Sequence, residues 1–328
     1  MRSPTLTLLL AACALTLVVT GCTPAGDDSE LVEPTALPVY PQLTTDPSIP
    51  VIEDIVFGTA DGAPDGEPLL LDACLPADTD IDDLESGARP SIVSIHGGSW
   101  MRGDKANLNW RAVCQWLASE GFFVVSVNYR LAPESTFPAQ LDDVAAAVRW
   151  LRDPETVERY NLDPDRIGAF GGSAGGNLAA LLGTTGSGDW TSGSRVAAVA
   201  ELSGPTDLLE RIPTTDSYSQ DFGDVQRAYL GCADLAACPA AAAASPITLV
   251  DESDPPSFVA HSIDEVIPLN QADSFVAVLR AAGIPVTYVT VEGALHSLEL
   301  LDENMQRRIV AFLRETLELN PVSRVNAQ

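Results

Sequence analysis

The feature that most restricts this chain is a series of apolar runs that scarcely alternate. In Ile92-Val93 and Phe122-Phe123-Val124-Val125, hydrophobic residues stand side by side. Strands of that kind need cover on both faces, as in a parallel sheet between layers of helix. Strand-like runs fall at 51–57, 69–75, 91–96, 122–129, 166–170, 196–202, 257–261 and 286–291. Helical patterns fall at 107–119, 138–151, 174–182, 269–282 and 302–319, and Gly121 and Gly283 stand where a left-handed residue ends a helix. The expectation is an α/β domain over 51–320: an eight-stranded, mostly parallel twisted sheet with helices on both faces. Its first two strands would form an antiparallel edge. Residues 207–245, between the sixth and seventh strands, read as a small cap over the sheet's carboxyl edge, because so long a connection is uncommon without a function.

The front of the chain reads differently. Residues 1–21 place Arg2 ahead of an apolar run at 6–19, the layout of an export signal. Val19-Thr20-Gly21-Cys22 resembles the lipobox of bacterial lipoproteins. That resemblance implies loss of 1–21, a diacylglyceryl group on Cys22 and a cell-envelope location, since two acyl chains anchor stably. Residues 22–50 hold six prolines among acidic and hydroxyl residues and read as a tether, and 321–328 as a tail. Setting aside Cys13 and Cys22 leaves Cys74, Cys114, Cys232 and Cys238, an even set that suggests two disulfides in an exported chain. Of the three pairings possible, 74–114 with 232–238 is adopted. The 46 acidic residues outnumber 18 basic ones, for a net charge of −28. Such a surface repels nucleic acid and anionic bilayers, so membrane contact is expected through the lipid alone. With no CxxC, no HExxH and three scattered histidines, neither metal nor cofactor is expected.

Gly171-Gly172-Ser173-Ala174-Gly175 follows a strand directly and leads directly into a helix. In that context G-x-S-x-G is a nucleophile elbow, whose tight turn lifts the serine oxygen into a cleft. A phosphate loop would require a Lys after the glycines, and none is present. Serine needs a base, and His296, in the loop after the last strand, is the candidate. His261, at the end of the seventh strand, reads as structural. The acid that orients the imidazole is assigned to Asp264, with Asp207 as the main alternative and Glu265, Asp251 and Asp254 behind it. Glu265, adjacent to Asp264, is expected to point elsewhere. The oxyanion donors would be the N–H of Ala174 and that of Gly98 or Ser99, in the glycine turn after the third strand. Trp100 and Met101 either line a substrate pocket or pack beneath the loop. If His296 acts as a neutral base, activity falls on acidification through an imidazole-like ionisation.

His96-Gly97-Gly98-Ser99-Trp100, Asn128-Tyr129-Arg130-Leu131-Ala132-Pro133-Glu134, Phe137-Pro138-Ala139, Asp142-Asp143 and the elbow, in that order, resemble the α/β-hydrolase carboxylesterases. The nearest groups are the hormone-sensitive-lipase-like and the feruloyl and acetyl-xylan esterase-like branches. The resemblance implies cofactor-free hydrolysis of small to medium acyl esters through an acyl-enzyme on Ser173. Carbohydrate esters, then formamides or lactones, are the next substrates in line. A non-catalytic binding lipoprotein is the reading from another class. Within the resemblance, Arg130 pairs with Asp142 or Asp143, and Asp104 bonds backbone near the glycine turn.

Overall fold

The computed structural model describes residues 30–32, 43–60, 66–76, 87–213 and 221–317. Residues 1–21, read above as an export signal, Cys22 and residues 321–328 lie outside them. In chain order the strands and helices are β1 (Glu30–Val32), β2 (Val51–Thr59), β3 (Pro68–Cys74), β4 (Arg89–Ile95), α1 (Leu108–Ser119), β5 (Phe123–Val127), α2 (Ala139–Leu151), α3 (Pro154–Tyr160), β6 (Leu162–Gly172), α4 (Ala174–Thr184), β7 (Ala198–Leu202), α5 (Phe222–Leu230), α6 (Ala240–Ala243), β8 (Ser257–Ser262), α7 (Asn270–Ala281), β9 (Val286–Val291) and α8 (Glu303–Leu317).

The strands form one sheet in the order β1-β9-β8-β7-β6-β4-β5-β3-β2. Pairing is parallel from β1 to β5 and antiparallel at the β5–β3–β2 edge. All eight expected strands are present, and β1 is a ninth. It comes from the segment read as a tether and runs parallel to β9. Residues near the other end of that segment are docked as well: the Gln115 side chain accepts from the Asp46 N–H and donates to the Asp46 and Ile49 carbonyls. Ile49 is buried beside it.

The pleat sorts the apolar runs onto two faces. Ile92 and Val124, paired in register, pack with α1 and α8; Val93 and Val125, also paired, pack with α2 and α4. This is why hydrophobicity is continuous along each strand. On α8, Ile309 and Leu313 are fully buried, each contributing about 1.5–3 kcal/mol by burial. Two disulfides are formed, Cys74–Cys114 tying β3 to α1 and Cys232–Cys238 within the segment read above as a cap.

Three helices have no counterpart among the expected ones: α3, α5 and the single-turn α6. Asp153 caps α3, with Pro154 at its first position and Asn161 left-handed at its end. Asp221 caps α5, and left-handed Gly231 ends it. Both lie in segments too short or too polar to show a clear helical stripe.

The strand order sets the site. The chain leaves β4 for β5 on one side and returns through β6 on the other, so the carboxyl ends of β4 and β6 diverge into a crevice.

Candidate active site

Ser173 stands between β6 and α4 with φ 57° and ψ −125°, a left-handed conformation that non-glycine residues adopt only when their surroundings hold them there. Its N–H donates to the Leu202 carbonyl (2.8 Å). The turn requires its glycines. A Cβ on Gly175 would lie 2.1 Å from the Ile95 carbonyl oxygen, so a side chain there would drive the elbow off β4. A Cβ on Gly97 would lie 2.8 Å from the Gly172 carbonyl oxygen and 3.2 Å from the Ser173 Cβ. The glycine turn after β4 therefore lies directly against the serine.

In that turn the Gly98 carbonyl accepts from the N–H groups of Met101 and Arg102, and Ser99 and Trp100 are both left-handed. The Gly98 N–H donates to no backbone acceptor among the described residues. Ala174, as the first residue of α4, presents an N–H with no intrahelical acceptor. His96 is fixed beneath the turn: its ring stacks on Tyr129 at 4.3 Å, and the Tyr129 hydroxyl donates to the His96 carbonyl. Burial lowers the His96 pKa.

His296 follows β9 and its side chain is partly exposed. Its backbone N–H donates to Glu299 (2.9 Å). Its Nδ1 donates not to Asp264 but to Glu265 Oε2. Glu265 is fully buried, and its other oxygen accepts from Ser203 Oγ (2.8 Å) and the Ser262 N–H (3.0 Å). Ser203 Oγ in turn accepts from the Ser297 N–H (2.9 Å), which joins the acid to the loop carrying the base. A Cβ on Gly172 would meet Ser297 Oγ at 2.2 Å, so that loop also lies against the elbow.

The assignment of the acid to Asp264 is therefore corrected. Asp264 is exposed, and its contact is a main-chain bond from its N–H to the Gly293 carbonyl. In the turn after β8, neighbouring residues face opposite ways, and the Ser262 N–H draws Glu265 inward. The alternatives lie elsewhere. Asp207 caps the Leu209 N–H, Asp251 bonds Ser253, and Asp254 faces Arg195. His261 is fully buried and donates from Nε2 to the Ile267 carbonyl (2.8 Å), with the same nitrogen 3.3 Å from Glu265. Burial lowers its pKa. On β7, burial pushes the Glu201 carboxyl up to about 8, opposed by the Gly204 N–H and reinforced by the charge of Glu265. Ser203 escaped sequence reasoning. The available signal was its place directly after the sixth expected strand, 196–202, which is β7 in the structure.

Trp100 is also corrected as a pocket residue. It is fully buried, stacked 4.0 Å from the Tyr229 ring and edge-on to Phe222, both in the cap. Met101 packs half-buried against the same core. The cleft beside Gly97 and Gly98, about 330 Å³, is lined instead by Arg102, Gly103, Asn107, Asn109, Trp110 and Leu298. Arg130 pairs with Asp143, and Asp104 accepts from the Ala106 N–H. Among the described residues there is no group of acidic, histidine or cysteine side chains able to hold a metal ion.

Comparisons with known proteins place this fold among esterases. "Esterase LipC" of Mycobacterium tuberculosis is 34% identical over 246 residues, 67% of this chain and 56% of LipC, so the chain spans little more than half that relative's length. Among solved structures, a bifunctional GH43-CE protein of Bacteroides eggerthii superposes with a TM-score of 0.66 at 29% identity, over 81% of this chain and 35% of that one. The butyrate-bound esterase Est2 of Thermogutta terrifontis superposes with a TM-score of 0.64 at 25% identity, over 84% of this chain and 96% of that one. A family model described as BD-FAE matches residues 78–279, well over half of the sequence, and the chain belongs to the BD-FAE family of α/β-hydrolases.

Proposed function

We propose that this protein hydrolyses small to medium carboxylic esters, with Ser173 as nucleophile, His296 as base and Glu265 as the acid that orients it. The observation that carries the reading is the buried Glu265 carboxylate on His296 Nδ1, in a loop packed against the elbow that presents Ser173. A carboxylate there holds the proton on Nδ1 and leaves Nε2 free to accept one. His296 takes the Ser173 proton as Oγ bonds to the ester carbon. The tetrahedral oxyanion is held by the N–H groups of Ala174 and of Gly98 or Ser99. The carbon–oxygen bond to the alcohol then breaks, and the alcohol leaves with the proton from His296. Water, deprotonated by the same ring, attacks the acyl-enzyme and releases the acid. A cleft of about 330 Å³ suits a short acyl or alcohol group.

A fluorophosphonate probe tests the reading. It labels Ser173 in the folded protein and not in Ser173→Ala; an unlabelled wild type refutes it. Carbohydrate esters are the second reading, supported by the likeness to the GH43-CE protein. Acetylated and feruloylated sugars, run beside nitrophenyl esters of graded length, decide between the two. We propose further that the protein is exported and held to a membrane by lipid on Cys22, which the paired cysteines support. Labelled palmitate incorporated by wild type and lost in Cys22→Ser is the result expected.

A further inference from the structure

The cleft beside Gly97 and Gly98 has a charge character opposite to that of the molecule. The chain carries 46 acidic residues, yet the cleft lining contains none, and Arg102 is its one charged side chain. Arg102 is exposed, and its guanidinium has no ion-pair or hydrogen-bond partner among the described residues. The other cations of this region are committed: Lys105 to Asp54 and Asp72, Arg111 to Glu53 and Asp72, Arg130 to Asp143. The nearby Asp104 is not part of the lining, and its carboxylate accepts from the Ala106 N–H and the Asn128 amide. A Cβ on Gly98 would sit 3.2 Å from Arg102 Cγ, so the stem of Arg102 lies against the oxyanion turn itself. Two further donors share the lining. Asn107 uses its Oδ1 to cap α1 through the Asn109 N–H, which leaves its NH₂ to donate, and the exposed Asn109 contributes a second amide.

A planar guanidinium flanked by amide N–H donors matches a carboxylate, which accepts two parallel hydrogen bonds. The long-range negative field of the protein is screened within about 8–10 Å at physiological salt, so it does not cancel a contact made inside the cleft. We infer that Arg102 is a specificity-determining residue that selects esters carrying a carboxylate on the part of the substrate lying over the glycine turn. This inference rests on the esterase reading for its catalytic consequence, though not for the binding itself.

The test compares matched esters that differ in one negative charge. 4-Acetoxybenzoate against its methyl ester puts the carboxylate on the alcohol side; mono-4-nitrophenyl adipate against 4-nitrophenyl hexanoate puts it on the acyl side. The readout is the ratio of kcat/KM, anionic to neutral, in wild type, Arg102→Gln and Arg102→Glu. For at least one pair, the ratio should fall about tenfold in Arg102→Gln, as expected for loss of a charged hydrogen bond, and further in Arg102→Glu. Ratios unchanged within twofold for both pairs would overturn the inference. Calorimetric titration of 4-hydroxybenzoate and adipate into wild type and Arg102→Gln reads the same contact without chemistry. Binding weakened about tenfold in the variant supports the carboxylate site even if no ester were turned over, which would count against the hydrolase reading alone. Equal or undetectable binding to both proteins, together with unchanged ratios, counts against Arg102.

Discussion

Glu265 and Asp264 are adjacent carboxylates with opposite surroundings, and exchanging their amides separates them sharply. Glu265→Gln keeps the side-chain shape but removes the charge that faces His296 Nδ1, Ser203 Oγ and the Ser262 N–H. The Ser262 N–H and the Ser203 hydroxyl both donate to Oε1, so the amide oxygen of Gln is drawn to that position and its NH₂ is turned toward His296. The ring would then have to present an unprotonated Nδ1, the wrong tautomer for a base acting through Nε2. In serine-protease triads the equivalent loss costs on the order of 10⁴ in turnover. The expectation is therefore a fall in kcat of about 10³–10⁴, or roughly 4–5.5 kcal/mol of barrier. Asp264→Asn alters an exposed side chain and keeps the main-chain bond to Gly293. It should leave kcat within about twofold, as surface substitutions usually do. Turnover of 4-nitrophenyl butyrate and the rate of fluorophosphonate labelling measure both variants, with circular dichroism to show that each is folded. An inactive Asp264→Asn beside an active Glu265→Gln would refute the assignment.

Three further outcomes are expected. Because burial raises the Glu201 carboxyl from 4.5 to about 8, the folded state keeps a proton across that window that the unfolded chain has already released. Stability then falls as pH rises through the window and levels off above it; Tm measured against pH should show this slope in wild type and lose it in Glu201→Gln, and parallel curves would contradict it. Tyr229→Leu removes the ring on which Trp100 stacks and should cost about 2–3 kcal/mol in urea denaturation. Tyr229→Phe should cost under about 1 kcal/mol, because the hydroxyl's contact with Asn177 is long at 3.4 Å. Replacing Cys74 and Cys114 by Ala should destabilise more than replacing Cys232 and Cys238, by chain-entropy values of about 3.9 against 2.2 kcal/mol for sequence separations of 40 and 6; the reverse order would argue against that account.

Much of this site was legible in the chain because the signals are local. A buried parallel strand announces itself by consecutive apolar residues, so all eight anticipated strands are found where 92–93 and 122–125 and their counterparts indicated. The elbow is a five-residue pattern between a strand and a helix, and its steric demands are met by its immediate neighbours. His296 was identified by chain order, since one histidine occupies the loop after the last strand. The strand at Glu30–Val32 had no such signal, because it is held by what it pairs with, and the helix over Pro154–Tyr160 offers capping residues at both ends but too short an apolar stripe to stand out.

The sequence by itself determined the positions of eight strands, the serine turn and the loop that bears the histidine, since each depends on side chains a few residues apart. Only the tertiary structure decided which of two neighbouring carboxylates turns inward. That choice is shared by the Ser262 N–H, three positions away, and Ser203, 62 positions away from Glu265, and no local pattern encodes the second contact. The burial of Trp100 was decided in the same way, by Tyr229 arriving from the cap. A turn leaves the direction of each side chain open by a single residue, and contacts between distant segments supply the free energy that settles it.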